Sequence, residues 1–318
     1  MQNYEQGLTD ENLLITILAV SSHIQGLASL WTDPSLKRCL DQLLAMEGFD
    51  PDSVDDAIPI SRFQQAFLLA FYYFHQYPGR KSWSRVGKLT REAYEWGLHQ
   101  IDHPQQCQLY ASNVMNTEEK EEWRRLWWCI YCLDSYCNIT ASTPFVIELD
   151  SVRTALIPDS IDITGRHQPA LFLPPDTDRL WETCKAVSAH PGDCYVNVHI
   201  VTTTLLRKAG KLLRLWVQNP TPQIDEGFQL LDDHLSAVRL ALFPRFFNVS
   251  RDIVKGESPP EHHARLICNL HMHATRLLVS MPRSSVSGEE CWRHRWAGVL
   301  ECCEGTYQQD RNSLSHLE

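Results

Sequence analysis

The 318-residue chain lacks any apolar run near the roughly 20 residues that a membrane-spanning helix requires. No membrane association is therefore expected. Its first residues, MQNYEQGLTDENLL, are acidic and polar, without the basic start and apolar stretch of a secretory signal. An intracellular location follows as the expectation. Positive charge is scarce too: 29 Lys and Arg stand against 39 Asp and Glu, a formal charge of −10. A surface of that sign repels phosphate backbones unless the basic residues are segregated, so this chain is not expected to bind nucleic acid on its own. The glycine patterns of nucleotide loops and the GxSxG of serine hydrolases are missing, and with them any nameable nucleophile or phosphate cradle. No short-period internal repeat occurs.

Cysteine is present but dispersed. Eleven cysteines run from Cys39 to Cys303, without the density of a small disulfide scaffold. Reduced, mostly buried thiols are expected. What the chain does have is apolar content, 43% of residues, enough for a core in one large or two smaller domains. Nearly every patterned stretch has helical spacing. Helices are expected from Thr9 to Leu30, over 35–47 with Gly48 as its stop, and after Ser61 through RFQQAFLLAFYYFHQYP, apolar on nearly all sides. Others follow over 81–99, from Thr117, over 195–217, 225–242 and 259–282, and in a last piece at 289–309. One stretch, STPFVIELDSVRTALIPDSID at 142–162, has prolines, alternating apolar positions and acids, and reads as an extended excursion. A Pro- and Asp-bearing segment between residues 163 and 192 reads as a long loop or an internal boundary. The fold class is all-α: an irregular multi-helix array with one extended Pro/Asp-rich excursion.

The densest stretch is EEWRRLWWCIYCLD, residues 121–134. Trp123, Leu126, Trp127, Ile130 and Leu133 form one helical stripe, and Glu118 and Glu119 suit the positive end of a helix dipole. A redox CxxC needs its first cysteine at a helix N-terminus. Cys129 and Cys132 lie three turns in, among tryptophans, so packing is expected of them. Arg124 and Arg125 follow four glutamates, and an ion-pair network is expected, Glu121 pairing with either arginine and Asp134 meeting a neighbouring helix.

Two chemical motifs fall short. His262, His263, His271 and His273 are numerous enough for a metal site, but His271 and His273 stand about 200° apart around a helix, and His262 about 16 Å along it from His273. A single-helix chelate is excluded; a ligand shared with another helix is the remaining metal reading. In LLDDHLSAVRL, Asp232 and Asp233 lack the third carboxylate of a DDxxD magnesium–diphosphate motif, and SVDDAIP at 53–59 fails similarly.

Three blocks carry a family resemblance: AYEWGLHQID at 93–102, RRLWWCIYCLD at 124–134 and STPFVIELDSVRTALIPDS at 142–160. With the histidine-bearing helix at 259–284, they resemble the middle homology region of fungal transcription factors that carry a binuclear zinc cluster. The family-signature residues are Arg124, Arg125, Trp127, Trp128, Leu133 and Asp134. The family's six-cysteine CxxCx6C cluster does not occur in this sequence, nor does the coiled-coil linker that follows it.

The resemblance implies a single helical regulatory domain over 1–318, with a subdivision near 160–192 and no DNA-binding domain. It implies control of RNA polymerase II transcription, of a metabolic pathway, in the nucleus. A small-molecule effector or a regulatory protein is the expected partner, with homo- or heterodimerisation as a further expectation. DNA would be reached only through a zinc-cluster domain outside this sequence, and zinc is expected only there. No cofactor, metal or catalytic residue is assigned. The aromatic positions Phe67, Phe71, Phe74, Trp123 and Trp127 are the expected effector cavity. The rival readings are a helical enzyme processing a small molecule on the same scaffold, and a truncated dimerising regulator.

Overall fold

Asp10 opens the first helix, α1 (Glu11–Ile24): its Oδ1 accepts from the backbone N–H of Asn12 at 2.8 Å, satisfying one of the donors that a helix start leaves unpaired. Its Oδ2 accepts from the Ser61 hydroxyl at 3.1 Å, tying α1 to the start of α2 (Ile60–Gln76). The computed structural model describes residues 10–24, 34, 38, 42–43, 59–103, 117–157, 170–188, 194–247 and 257–284. Among them are eight α-helices and no strand. None of these helices is long and apolar enough to cross a membrane. Of the stretch 35–47, residues 38, 42 and 43 are helical and the rest lies outside the described residues, as do Thr9 and the piece at 289–309.

The chain divides into two compact units: residues 1–141 with 145–148, and residues 142–144 with 149–318. The subdivision expected near 160–192 concerns a stretch of which 158–169 and 189–193 lie outside the described residues.

In the first unit, α1 lies against α2, α2 against α3 (Arg80–Glu95), and α3 against α4 (Thr117–Ala141). Ala19, Val20, Leu69 and Tyr72 form a buried cluster with Leu43. Helix α2 was expected to be apolar and buried on nearly all sides. Its buried set is Phe63, Leu69, Ala70 and Tyr72, while Phe67, Phe71 and Phe74 are half-buried. Four helices leave each member an outer arc, and half-exposed aromatic rings occupy it. Helix α3 ends at Gly97, whose φ of 69° and ψ of 19° are left-handed, a conformation glycine reaches without the Cβ clash.

In the second unit, the excursion reaches residues 152–157 after a 3₁₀ turn at Leu149–Ser151. Its backbone is held by a side chain: Ile157 N–H donates to Asn197 Oδ1 at 3.1 Å, and Asn197 Nδ2 donates to the Ile157 carbonyl at 2.8 Å. One buried amide thus supplies the donor and acceptor that a strand neighbour would otherwise provide. Helices α5 (Leu180–Ser188), α6 (Cys194–Gln218), α7 (Pro222–Ala241) and α8 (Pro259–Ser284) complete the unit. Helix α8 runs along α6, and α7 packs against both. A Cβ on Gly227 would meet Leu212 Cδ2 at 3.0 Å, so this glycine permits the close approach of α7 to α6. On α6 the run Thr202, Thr203 and Thr204 is buried; Thr202 and Thr204 return their hydroxyls to helix carbonyls at 3.1 and 2.9 Å, which makes a β-branched polar residue tolerable inside.

The two units carry opposed acid responses. His199 and His271 stack edge to face at 5.0 Å in the second unit. Burial, with His263 adding positive potential, pushes His199 down to about 4, and burial beside His199 holds His271 well below the usual imidazole range. Below pH 6.5 the unfolded chain takes up protons that the folded imidazoles refuse, so stability falls as pH drops toward 4. In the first unit, burial raises the Glu92 carboxyl to about 7 despite Lys88 at 3.9 Å. The folded state then binds a proton that the unfolded state releases above 4.5, so stability is lost as pH rises from 4.5 to 7. Hydrogen exchange followed unit by unit checks both. Replacing His199 and His271 together by Gln is expected to flatten the acid-side loss of protection in the second unit. Glu92→Gln is expected to raise protection in the first unit at neutral and alkaline pH; unchanged pH profiles would refute the assignments.

Candidate functional site

The first two sequence blocks and residues 145–148 of the third meet in the first unit. From the first block, Asp102 just beyond α3 receives Arg124 of the second: Nε donates to Oδ2 at 2.8 Å and Nη2 to Oδ1 at 2.5 Å, with Lys120 Nζ at 2.8 Å from the same oxygen. The expected partner of Arg124 was Glu121, on its own helix. Asp102 takes its place because a carboxylate approaching from outside the helix can meet both faces of the guanidinium fork, and its side chain is largely buried. Arg125 is exposed on the same turn.

Tyr94 and His99 from the first block flank Trp127 from the second, with ring centroids 5.7 and 6.2 Å from the indole and 4.5 Å from each other. Trp127 is fully buried. Its Nε1 and the Nδ1 of His99 have no hydrogen-bond partner among the described residues, and burial lowers the imidazole below its ordinary range. Each such unpaired buried atom costs about 1–3 kcal/mol, so the aromatic packing must offset it. The third block enters through Tyr94, whose hydroxyl accepts from the Glu148 N–H at 3.0 Å.

Asp134 closes the arrangement. It is 0% exposed. Its Oδ1 accepts from Asn138 Nδ2 at 2.7 Å and from the Val146 N–H at 3.4 Å, and its Oδ2 accepts from the Ile147 N–H at 3.4 Å. Asn138 Oδ1 in turn accepts from Trp83 Nε1 at 3.0 Å. A relay therefore runs from α3 through α4 to the backbone of residues 146–147. Asp134 reaches this backbone because irregular chain has N–H groups to offer that a helix interior lacks. Trp128 and Leu133 are buried on the same helix, as is Tyr131, which meets Trp128 edge to face at 5.4 Å. The buried surface of α4 is thus wider than the single stripe expected.

The remaining expectations fall as follows. Phe67 packs on Phe71 at 6.0 Å, and Phe71 and Phe74 both pack on His75, at 4.3 and 5.1 Å. Trp123 meets Phe63 at 5.5 Å, and Trp127 belongs with Tyr94 and His99. The five positions thus enter three separate sets of ring contacts among the described residues. Cys129 is exposed and Cys132 half-buried in mid-helix, both as free thiols. Asp233 is exposed, and the intervening His234 Nδ1 lies 3.0 Å from the Thr177 hydroxyl. No three His, Cys, Asp or Glu side chains converge as metal ligands among the described residues.

Sequence reasoning missed a buried network in the second unit. Arg265 donates Nε to Glu257 Oε1 at 2.8 Å and Nη2 to Oε2 at 2.9 Å, Nη1 to the Arg245 carbonyl at 3.2 Å, and Nη2 also to His262 Nδ1 at 2.7 Å. Guanidinium only donates, so Nδ1 of His262 is an acceptor. Burial works to raise the Glu257 carboxyl, but the hydrogen bonds and charge of Arg265 bring it below the ordinary range. The available signal was Ser258 and Glu261, a capping box that sets the start of α8: the Ser258 N–H donates to Glu261 Oε2 at 2.7 Å. Two pockets also lie in this unit. One, of about 410 Å³, is lined by α7, α8 and Phe247; the other, about 630 Å³ and mainly apolar, is lined by residues of α5 and α7 with Phe243.

Comparison with known proteins places this arrangement. The fungal specific transcription factor domain matches residues 2–185, which include all three blocks. The chain belongs to that family. It is 23% identical over 185 residues to the citrinin biosynthesis transcriptional activator mrl3 of Monascus ruber, covering 58% of this chain and 35% of the relative. It is likewise 23% identical over 185 residues to the citrinin biosynthesis transcriptional activator ctnR of Monascus purpureus, covering 58% and 31%. The chain thus spans about a third of the length of these curated relatives. No solved structure matches it.

Asp134→Ala is expected to destabilise the first unit by about 2–4 kcal/mol, because it leaves buried donors without an acceptor. Arg125→Ala, at an exposed position, is expected to change stability by less than about 1 kcal/mol, the range of exposed polar pairs. Urea unfolding of the purified chain measures both.

Proposed function

We propose that this chain is the regulatory domain of a nuclear fungal transcription factor that controls RNA polymerase II transcription of a metabolic pathway, and that it acts by binding rather than by catalysis. The family match over residues 2–185 carries the reading. The relatives' names, activators of citrinin biosynthesis, support a role in a biosynthetic pathway. DNA contact belongs, in this reading, to a zinc-cluster domain that does not occur within this sequence, and the chain carries a net negative charge that disfavours direct phosphate contact.

The mechanism is a population shift. A helical domain with two packings responds to whichever ligand or partner protein binds one of them more tightly, and the shift cannot exceed that difference in affinity. A small-molecule effector or a regulatory protein fills that role, and a dimer with a zinc-cluster protein would deliver the response to DNA.

The test is to tether the full chain to an unrelated DNA-binding domain in a fungal host carrying a reporter. Reporter output is expected to change several-fold between growth conditions, and the Asp134→Ala variant is expected to lose the response. A folded, nuclear fusion protein whose output equals that of the DNA-binding domain alone in every condition would refute the proposal.

A further inference from the structure

The pocket on α7 and α8 has a composition at odds with the rest of the chain. Leu235, Ser236, Arg239 and Leu240 stand on one face of α7, and Asn269, Met272, His273 and Arg276 on one face of α8, each set at helical spacing. Phe247 adds a ring from the turn at Pro244–Phe247. The buried members, Leu235, Met272 and Asn269, make the floor, and the exposed ones, Arg239, Arg276 and Ser236, the rim.

Charge is the first pointer. Arg239, Arg276 and His273 line the pocket and no carboxylate does so among the described residues, in a chain whose formal charge is −10. Neither arginine forms an ion pair with a described residue. Asp232 and Asp233 share α7 with Arg239 but do not line the pocket. The Arg239 guanidinium carbon lies 5.2 Å from the Phe247 ring centroid, a stacking contact that holds the fork at the rim.

The floor is the second pointer. Asn269 is 4% exposed and lines the pocket, and its side-chain amide has no hydrogen-bond partner among the described residues. The amide opens onto the pocket, where its donor and acceptor can meet a guest. The volume, about 410 Å³, falls in the range of small-molecule pockets.

We infer that this pocket is the effector site of the domain and that it binds an aromatic carboxylic acid. The carboxylate meets the Arg239 and Arg276 forks, the ring system lies against Phe247, Leu235 and Met272, and a ring hydroxyl or carbonyl meets Asn269. Arginine forks match a planar carboxylate, and the apolar floor favours a ring body over a free phosphate. The assignment rests on the regulatory reading for its role as effector site, and on the pocket alone for the ligand class.

The test titrates the full chain with 2-naphthoate and, separately, with its neutral counterpart 2-naphthalenemethanol, using calorimetry. Saturable binding of the acid is expected, with the alcohol at least about tenfold weaker, as expected on losing a charge-assisted hydrogen bond. Arg239→Ala and Arg276→Ala are each expected to weaken the acid about tenfold, and the Arg→Lys variants less. Both arginines are exposed, so the variants should fold, which far-UV circular dichroism checks. Equal binding of acid and alcohol, unchanged binding by folded arginine variants, no saturable binding, or displacement by inorganic phosphate at constant ionic strength would each overturn the ligand class. Pocket binding with the expected selectivity, combined with a tethered reporter that never responds, would support the pocket and overturn the regulatory reading instead.

Discussion

A carboxylate with no access to water must find its donors inside the protein, and Asp134 finds them on two sides: Asn138 on its own helix and the backbone N–H groups of Val146 and Ile147. This satisfies a buried charge, fixes where the chain leaves α4, and couples α3 to that exit through the bond from Trp83 to Asn138. The other contacts of the first unit are arranged around it. Arg124 and Lys120 hold Asp102 against the start of α4, and Tyr94 reaches the chain just beyond Ile147. Removing one member of such a buried network leaves the others unpaired, so its residues matter as a set.

The second unit solves a similar problem with a different residue. Arg265 is a buried cation, and Glu257, the Arg245 carbonyl and His262 use its donors in three directions. The network sits at the first turns of α8, the helix that runs along α6 and whose later turns line the pocket with Asn269 and Arg276. A fixed helix start sets the rotation of every later residue, so the face that α8 gives to the pocket depends on this buried charge. Elsewhere in the unit, burial holds His199 and His271 below the ordinary imidazole range, and their rings join α6 to α8 edge to face.

Much of the helical layout was legible. The apolar spacing of 61–78, 81–99 and 195–217 marked α2, α3 and α6 because it records which side of each helix meets a neighbour. The helix expected over 81–99 ends at Glu95, because Gly97 turns left-handed and stops it. The partner of Arg124 was not readable: four nearby glutamates looked sufficient, but the acid that wins lies 22 residues earlier in sequence. Likewise, Asn197 looked like an ordinary helix residue, and nothing local joins it to Ile157, 40 residues away.

The sequence by itself determined the helices, the excursion after α4, the net negative charge, and membership of a family whose signature residues lie in α4. These are local or compositional properties, set by hydrogen bonds within a few residues and by the balance of charged side chains. Tertiary structure alone decided which buried charges meet, that Asp134 binds the backbone of residues 146–147, and that Arg239 and Arg276 share one pocket. Such pairings depend on which helix faces come together, and the rotation and position of each helix are settled only when the core packs.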